Sequence, residues 1–167
     1  MNDMTIRAAI ITLSDKGSAG EREDESGSII QEMIAGMHFL VGHYEVLPDE
    51  KQRIIDSLKR LSDSGTIDLI ITTGGTGVSA RDVTPEATLA VIDRELPGMA
   101  EAMRAESLKK TPHAMISRAV AGIRRQTLIV NLPGSPKAVR ENLAVILPAL
   151  QHAIEKIKGD TRDCGRT

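Results

Sequence analysis

Aromatic side chains are nearly absent from this 167-residue chain, which contains one Phe, one Tyr and no Trp. Single-stranded nucleic acids are commonly bound by stacking their bases on aromatic rings, so the usual stacking platforms are missing. The formal net charge of −2 also provides no overall positive field for a polyanion. The composition therefore argues against a general nucleic-acid-binding protein and predicts a core of aliphatic side chains.

Cysteines and long apolar runs are also scarce. The single cysteine, Cys164, cannot form an internal disulfide, and the first residues lack the basic and apolar segments of a signal peptide. No apolar run approaches the roughly 20 residues that a membrane-spanning helix requires. We therefore expect a cytoplasmic protein with no membrane association. The length predicts one domain over residues 1–167, which ends in a polar tail at 159–167.

Short β-branched runs alternate with longer segments of 3.6-residue periodicity, which is the pattern of a parallel sheet covered by helices. The expected fold is therefore α/β with a mostly parallel central sheet. The predicted strands are 6–13, 38–47, 68–73 and 127–132, and the predicted helices are 26–37, 50–63, 85–94, 98–109 and 136–157.

Three loops combine glycine with small polar residues, and each follows an apolar strand: residues 14–20, 72–86 and 131–137. Ligands of open α/β sheets bind beyond the carboxyl ends of the strands, which is where these loops would meet. We therefore predict a single ligand site at that edge of the sheet.

The central loop has the composition of a phosphate-binding turn. Gly74, Gly75 and Gly77 allow backbone N–H groups to point into a concavity, and Thr73 and Thr76 add hydroxyl groups. Neither the Walker A pattern nor the dinucleotide-binding glycine pattern is present. A purely structural glycine turn is the alternative interpretation.

Two aspartates near these loops have both structural and functional interpretations. Asp82 precedes Thr84, which is the predicted N-cap of the next helix, and its carboxylate could either form an Asx turn or face the site. Asp49 and Gln52 form a capping-box pattern, although Asp49 could also face the site. Two carboxylates beside a phosphate would suit Mg²⁺, which usually takes one or two protein carboxylates together with substrate phosphates.

Other catalytic patterns are missing. The four histidines lack metal-ligand spacing, and there is no G-x-S-x-G nucleophile motif. Five acidic and two basic residues within 15–25 contrast with six basic and one acidic residue within 102–126. This asymmetry suits an anionic ligand with a metal, or it reflects solvated helix faces. Phosphoryl or nucleotidyl transfer fits best, because it relies on positioning and electrostatics.

Five segments in order resemble the molybdopterin adenylyltransferases of the MogA type, a family that includes MoaB and the G domains of gephyrin. They are Thr72-Thr-Gly-Gly-Thr-Gly, Arg81-Asp-Val-Thr-Pro-Glu-Ala-Thr, Leu96-Pro-Gly-Met, Ser117-Arg-Ala-Val-Ala-Gly-Ile-Arg and Asn131-Leu-Pro-Gly-Ser-Pro-Lys. The resemblance covers about residues 5–158, which is the expected core of the domain. The intact segment from Arg81 to Pro85 favours the catalytic type over the MoaB branch.

The resemblance implies a three-layer α/β/α domain of the molybdopterin-binding (MoCF) type, usually a homotrimer. The implied reaction joins Mg-ATP to the terminal phosphate of molybdopterin and gives adenylylated molybdopterin and pyrophosphate, with Mg²⁺ as cofactor. A molybdenum-insertion protein of the MoeA type would be the partner that uses the product.

The resemblance also implies roles for individual residues. Asp49 and Asp82 become the expected catalytic and metal-binding carboxylates. The expected substrate-binding residues are Ser14, Asp15, Thr73, Gly74, Gly75, Thr76, Gly77, Ser117, Pro133, Gly134 and Ser135. Two other functions stay open: a catalytically silent pterin-binding scaffold trimer, and a nucleotide pyrophosphatase related to the competence-damage-inducible proteins.

Overall fold

In the computed structural model, which describes residues 5–162, six strands form one sheet in the order β2-β1-β3-β6-β5-β4. The strands are β1 (Ile6–Leu13), β2 (Phe39–Leu47), β3 (Leu69–Thr73), β4 (Arg94–Glu95), β5 (Ala121–Arg124) and β6 (Thr127–Leu132). The helices are α1 (Asp15–Ser18), α2 (Glu25–Ala35), α3 (Lys51–Asp63), α4 (Thr84–Leu89), α5 (Pro97–Leu108) and α6 (Pro136–Ile157), with a 3₁₀ helix at Pro112–Ile116. Cys164 and the end of the predicted tail lie outside the described residues.

The four predicted strands are confirmed, and they form the parallel part of the sheet. β1 pairs in parallel with β2 and β3, and β3 pairs in parallel with β6. Every residue of β3 and β6 is buried, as expected for central strands that have helices on both faces. The carboxyl ends of β1, β3 and β6 therefore lie at one edge of the sheet.

Two short antiparallel strands, β4 and β5, were not predicted. β4 has only two residues, both exposed, so it carries no pattern of alternating burial. β5 contains Gly122, where a Cβ atom would lie 2.8 Å from the carbonyl oxygen of Arg94 on the neighbouring strand. A glycine within a strand weakens the sequence signal while allowing this close approach of the two backbones.

Helices cover both faces of the sheet, which confirms the three-layer α/β/α architecture. On one face α2, α5 and α6 pack against alternate strand residues, including Ile10 and Ile71. On the other face α3 and α4 pack against the intervening residues, including Ile11 and Ile70. No helix within residues 5–162 is long and apolar enough to cross a membrane.

Two predicted helix starts are wrong in detail. The N-cap of α3 is Glu50, which makes no side-chain capping bond, while Gln52 donates to Asp56 instead of completing a box with Asp49. The N-cap of α4 is Val83, and the hydroxyl of Thr84 donates to the carbonyl of Gly74 at 3.0 Å. The carboxylate of Asp49 accepts from the N–H of Asp15 instead, so in both cases a partner outside the helix replaces the local cap.

The helix predicted at 85–94 is also too long. α4 ends at Leu89, and the chain then turns so that the N–H of Asp93 donates to the carbonyl of Ile123 at 2.8 Å. The residues that helical periodicity predicted as the last turn of the helix therefore lie beyond α4, and some of them pair with β5 instead.

Candidate functional site

The structure brings the three predicted loops together at the carboxyl edge of β1, β3 and β6. Two cavities of about 490 and 560 Å³ open there. They share four lining residues, Gly75, Asp82, Gly134 and Ser135. The arrangement is a site with two compartments that meet at one carboxylate.

The glycines of the central loop allow the three loops to approach one another closely. Gly74 has φ +97°, and a Cβ there would lie closer than 3.0 Å to the carbonyl oxygen of Leu13. Gly75 has φ +66°, and a Cβ there would lie 3.0 Å from Asp49 Oδ1 and closer still to the Thr84 hydroxyl. A Cβ on Gly134 would lie 3.2 Å from the Cα of Gly74. Gly74 and Gly75 therefore require glycine for both conformation and space, and Gly134 for space alone.

The first cavity lies between the glycine loop and the helices α5 and α6. Arg104 provides a cation in its wall, and its Nη1 donates to the carbonyls of Ser117 at 3.4 Å and Ala119 at 2.9 Å. Of the residues expected from the sequence, Thr76, Gly77, Ser117 and Pro133 line this cavity alone. The remaining polar residues of the wall were not individually predicted from the sequence; they are Arg104, Ser107, Thr111, His113, Glu141 and Asn142.

The second cavity lies over the ends of β1 and β3. Ser14, Asp49, Thr73 and Gly74 line it, as expected from the sequence. The acidic run noted within residues 15–25 forms part of its rim, where Glu23, Asp24 and Glu25 outnumber the one basic residue, Arg22. This acidic rim makes the second compartment the more suitable one for a cation.

Asp24 joins the rim of the second cavity to the sheet. Its carboxylate caps α2 by accepting from the N–H of Gly27 at 2.9 Å, and it also accepts from the hydroxyl of Thr12 at 2.6 Å and from the hydroxyl of Tyr44. Burial, reinforced by the hydrogen bond to Asp24, raises the pKa of Tyr44 to about 12. Tyr44 therefore stays neutral and acts as a hydrogen-bond donor at physiological pH.

Asp49 is held beside the second cavity by reciprocal bonds with the loop after β1. Its Oδ2 accepts from the N–H of Asp15 at 3.2 Å, and its own N–H donates to Asp15 Oδ1 at 3.0 Å. Burial raises the pKa of the Asp49 carboxyl, and the negative charges of Asp15 and Asp82 add to the effect. A bound cation would favour the ionised form and so offset this unfavourable environment.

Asp15 does not line either cavity, in contrast to the expectation that it belongs to the pocket. Its two carboxylate oxygens accept from Nε of Arg81 at 3.0 Å and from Nη2 at 2.7 Å. These hydrogen bonds lower the pKa of Asp15. Asp15 thus connects the loop after β1 with the glycine loop, and it bonds to Asp49 from a position outside both cavities.

Asp82 faces the site and also makes a local hydrogen bond, although not the Asx turn considered from the sequence. Its Oδ2 accepts from the N–H of Ser79 at 2.9 Å, three residues earlier, whereas an Asx turn would use the N–H two residues later. The residue lines both cavities. A Cβ on Gly77 would lie 2.9 Å from Oδ2 of Asp82, so glycine is needed for the carboxylate to take this place. The hydrogen bond from Ser79 therefore fixes the carboxylate at the junction of the compartments.

The donor set at the junction fits Mg²⁺ better than a metal held by protein ligands alone. Within residues 5–162 no group of three or more His, Cys, Asp or Glu side chains is arranged to hold a metal ion. Asp49 and Asp82 supply two carboxylates at the second cavity, and Mg²⁺ commonly takes its further ligands from water and substrate phosphates.

Several expected binding residues are also engaged within the protein. The hydroxyl of Thr73 donates to the carbonyl of Pro133 at 2.7 Å, and Ser14 accepts from the N–H of Gly17 at 3.0 Å. Ser135 caps α6 by accepting from the N–H of Ala138 at 3.2 Å. The amino terminus of this 22-residue helix therefore faces the site, where its dipole favours an anion.

The basic run at 102–126 does not form a free cationic surface. Lys109 pairs with Glu106, Lys110 with Glu141 and Arg118 with Glu86, while Arg124 and Arg125 both pair with Asp63. Arg104 differs because it lines the first cavity. The charge asymmetry in the sequence thus reflects ion pairs formed across the fold, together with one cation in the site.

Comparison with known proteins agrees with the fold and the loops. A family model described as "Probable molybdopterin binding domain" matches residues 9–152. The chain is 45% identical over 158 residues to a molybdopterin adenylyltransferase of Helicobacter pylori strain J99, which covers 93% of this chain and 90% of that protein. It is also 45% identical to Dictyostelium discoideum gephyrin over 87% of this chain, although only 21% of gephyrin is covered.

A solved structure supports the same relationship. The molybdopterin biosynthesis enzyme MoaB of Thermus thermophilus superimposes with a TM-score of 0.88 at 51% identity, covering 93% of this chain and 98% of that one. The similarity extends over the sheet, the helices and all three loops of the site, since the family match includes them. The chain therefore belongs to the molybdopterin-binding domain family that includes the MogA, MoaB and gephyrin proteins.

Proposed function

We propose that this protein adenylylates molybdopterin with Mg-ATP in molybdenum cofactor biosynthesis. The observation that carries the proposal is that two cavities of similar size meet at the Asp82 carboxylate, with Asp49 in one of them. A transferase must hold two substrates with their reacting groups adjacent, and two compartments that share one wall meet this requirement. The name of the H. pylori relative supports the same reaction.

The reaction needs positioning more than acid–base chemistry. An oxygen of the terminal phosphate of molybdopterin attacks the α-phosphorus of ATP, and the bond to the bridging oxygen breaks to release pyrophosphate. The attacking phosphate is already ionised at neutral pH, so a strong base is not required. Mg²⁺, when bound, would neutralise the charge of the phosphates.

The residues of this chain would share the remaining tasks. We assign Asp49 and Asp82 to the metal and to phosphate positioning. Backbone N–H groups of the loop from Gly75 to Gly77 and the amino terminus of α6 at Ser135 would bind phosphate oxygens, whereas the N–H of Gly74 already donates to the carbonyl of Leu132. In the first cavity, Arg104 would add a positive charge and Ser117 a polar contact. Asp15 would act indirectly, by holding Asp49 and Arg81.

The two other functions are less well supported. A nucleotide pyrophosphatase binds one organic substrate and a water molecule, so it does not require a second compartment of similar size. A silent scaffold would not need a carboxylate fixed by a hydrogen bond from the loop backbone where the compartments meet. The homotrimer, the MoeA-type partner and the cytoplasmic location also belong to this proposal, and they rest on the resemblance and the composition.

The test is to incubate purified protein with freshly prepared molybdopterin and Mg-ATP. Pyrophosphate release and the mass of the pterin product are followed, with controls that omit the pterin or replace Mg²⁺ with EDTA. We expect both products only when pterin and Mg²⁺ are present. Tight pterin binding without product would instead support the scaffold, and pterin-independent cleavage of ATP would support the pyrophosphatase.

A further inference from the structure

Arg118 makes four hydrogen bonds to the glycine loop and to α4, the helix that follows it. Its backbone N–H donates to the carbonyl of Thr76 at 2.9 Å. Its side chain donates from Nε to the carbonyl of Gly77 at 2.7 Å and from Nη2 to the carbonyl of Asp82 at 2.7 Å. The remaining nitrogen, Nη1, pairs with the carboxylate of Glu86 in α4. All three guanidinium nitrogens are therefore bonded to the loop or to the helix after it.

These contacts close the tip of the loop. Gly77 and Asp82 lie on either side of residues 78–81, and one rigid guanidinium binds the carbonyls at both ends. Charge-assisted hydrogen bonds from a planar guanidinium are stronger and more directional than those of a neutral donor or an ammonium group. Fixing the two ends of a short loop removes much of its conformational freedom.

The closed tip determines where the Asp82 carboxylate lies. Within the tip, the N–H of Ser79 donates to Asp82 Oδ2 at 2.9 Å, and the N–H of Asp82 donates to the carbonyl of Ser79 at 3.0 Å. These bonds hold the side chain relative to the tip, whereas Arg118 holds the tip relative to β5 and α4. The position of the carboxylate depends on both sets of bonds.

Arg118 is not placed to contact a substrate. It lines neither cavity, and its guanidinium is directed at the loop carbonyls and at Glu86. We propose that Arg118 is a positioning residue that holds Asp82 in place for adenylyl transfer by clamping both ends of the loop tip. This inference rests on the proposed function for its kinetic part, whereas its structural part can be measured without turnover.

Arg124 provides a matched control at the opposite edge of the sheet. It also binds a carboxylate and a backbone carbonyl: Nε and Nη2 donate to Asp63 at 2.9 and 2.8 Å, and Nη1 donates to the carbonyl of Val91 at 3.0 Å. In the sheet it pairs with Thr127, at the start of β6, whereas the site lies beyond the end of β6. Arg124→Ala therefore removes a comparable clamp that does not contact the site.

The kinetic test compares Arg118→Ala, Arg118→Lys and Arg124→Ala. We expect kcat to fall about 10- to 100-fold in both Arg118 variants, as when the hydrogen-bond partner of a metal ligand is removed. The KM for ATP should change less, and Arg124→Ala should keep the wild-type kcat. Lysine retains the charge beside Glu86 but cannot bind both carbonyls in one plane, so it should not restore kcat. Ethylguanidinium should partly restore Arg118→Ala, which a loss of folded protein would not explain.

Hydrogen exchange of the ligand-free proteins tests the clamp itself. The amides of Ser79, Asp82 and Thr84 are bonded within or beside the loop, and they should exchange faster in both Arg118 variants but not in Arg124→Ala. Unchanged exchange at these amides would overturn the clamp, and faster exchange with wild-type kcat would overturn the positioning role. If wild-type protein forms no product, the proposed function fails, and the exchange measurement still decides whether Arg118 holds the loop.

Discussion

Replacing Gly74 with alanine should destabilise the fold at the point where the loops meet. Its φ of +97° is unfavourable for any residue with a Cβ, at a cost of about 1–2 kcal/mol. The added methyl group would also lie closer than 3.0 Å to the carbonyl oxygen of Leu13, which is backbone at the end of β1 and cannot rotate away. Overpacking of this kind typically costs about 1–3 kcal/mol. We therefore expect a total loss of about 2–5 kcal/mol in the free energy of unfolding.

Gly65→Ala is the control that separates the two contributions. Gly65 has a similar φ of +71°, but a Cβ there would have no neighbour within 4 Å. It should therefore show only the conformational cost of about 1–2 kcal/mol. Urea unfolding of both variants and the wild type, followed by circular dichroism, gives the comparison. If Gly74→Ala were no less stable than Gly65→Ala, the contact between the added methyl group and the Leu13 carbonyl would carry no energetic cost, contrary to our expectation.

Three further predictions concern the carboxylates. Asp82→Asn should lower adenylyl transfer by orders of magnitude while shifting the melting temperature little, because Asp82 lines the cavities. A wild-type kcat in this variant would exclude the proposed role of Asp82 in metal and phosphate positioning. Burial raises the folded-state pKa of Asp49, so its contribution to stability is present below the unfolded pKa and is lost as pH rises through the raised value. Without Mg²⁺, Asp49→Asn should therefore reduce the fall in unfolding free energy between pH 3 and pH 7, and an unaltered pH profile would contradict this. The hydrogen bond from Arg124 lowers the pKa of Asp63, so the ion pair between them stabilises the fold above the unfolded pKa of Asp63. This stabilisation is lost as pH falls through the lowered, folded-state pKa. Asp63→Asn should therefore be less stable than wild type at pH 7, and equal melting temperatures there would exclude the effect.

The parallel part of the fold could be predicted because its strands carry the strongest local pattern. β1 and β6 consist mostly of aliphatic residues, and their observed bounds are those expected from the sequence. β4 has no such pattern, because its two residues pair with β5 and both remain exposed. A two-residue edge strand forms only because it pairs with the neighbouring strand, so local sequence periodicity does not predict it.

The site was harder to predict because its bonds join distant parts of the chain. Asp49 has the sequence pattern of a helix cap, yet its carboxylate accepts from Asp15, 34 residues away. Arg118 lies in a segment that resembles the family, but its bonds reach Gly77 and Asp82, at separations of 41 and 36 residues. Local motifs predicted which loops form the site, whereas the partner of each side chain depends on how the sheet brings those loops together.

The distribution of hydrogen bonds within the site suggests how it is prepared for a charged ligand. Thr73, Asp24 and Asp82 are fixed by bonds to other parts of the protein, so little reorganisation of these groups is needed when a substrate binds. Asp49 differs, because burial and the neighbouring negative charges of Asp15 and Asp82 disfavour its ionised form. A cation bound between Asp49 and Asp82 would relieve that repulsion and stabilise the fold by binding to the folded state alone. If Asp49 and Asp82 hold the metal as proposed, the unfavourable environment of Asp49 would couple cation binding to the stability of the loops that carry the two carboxylates.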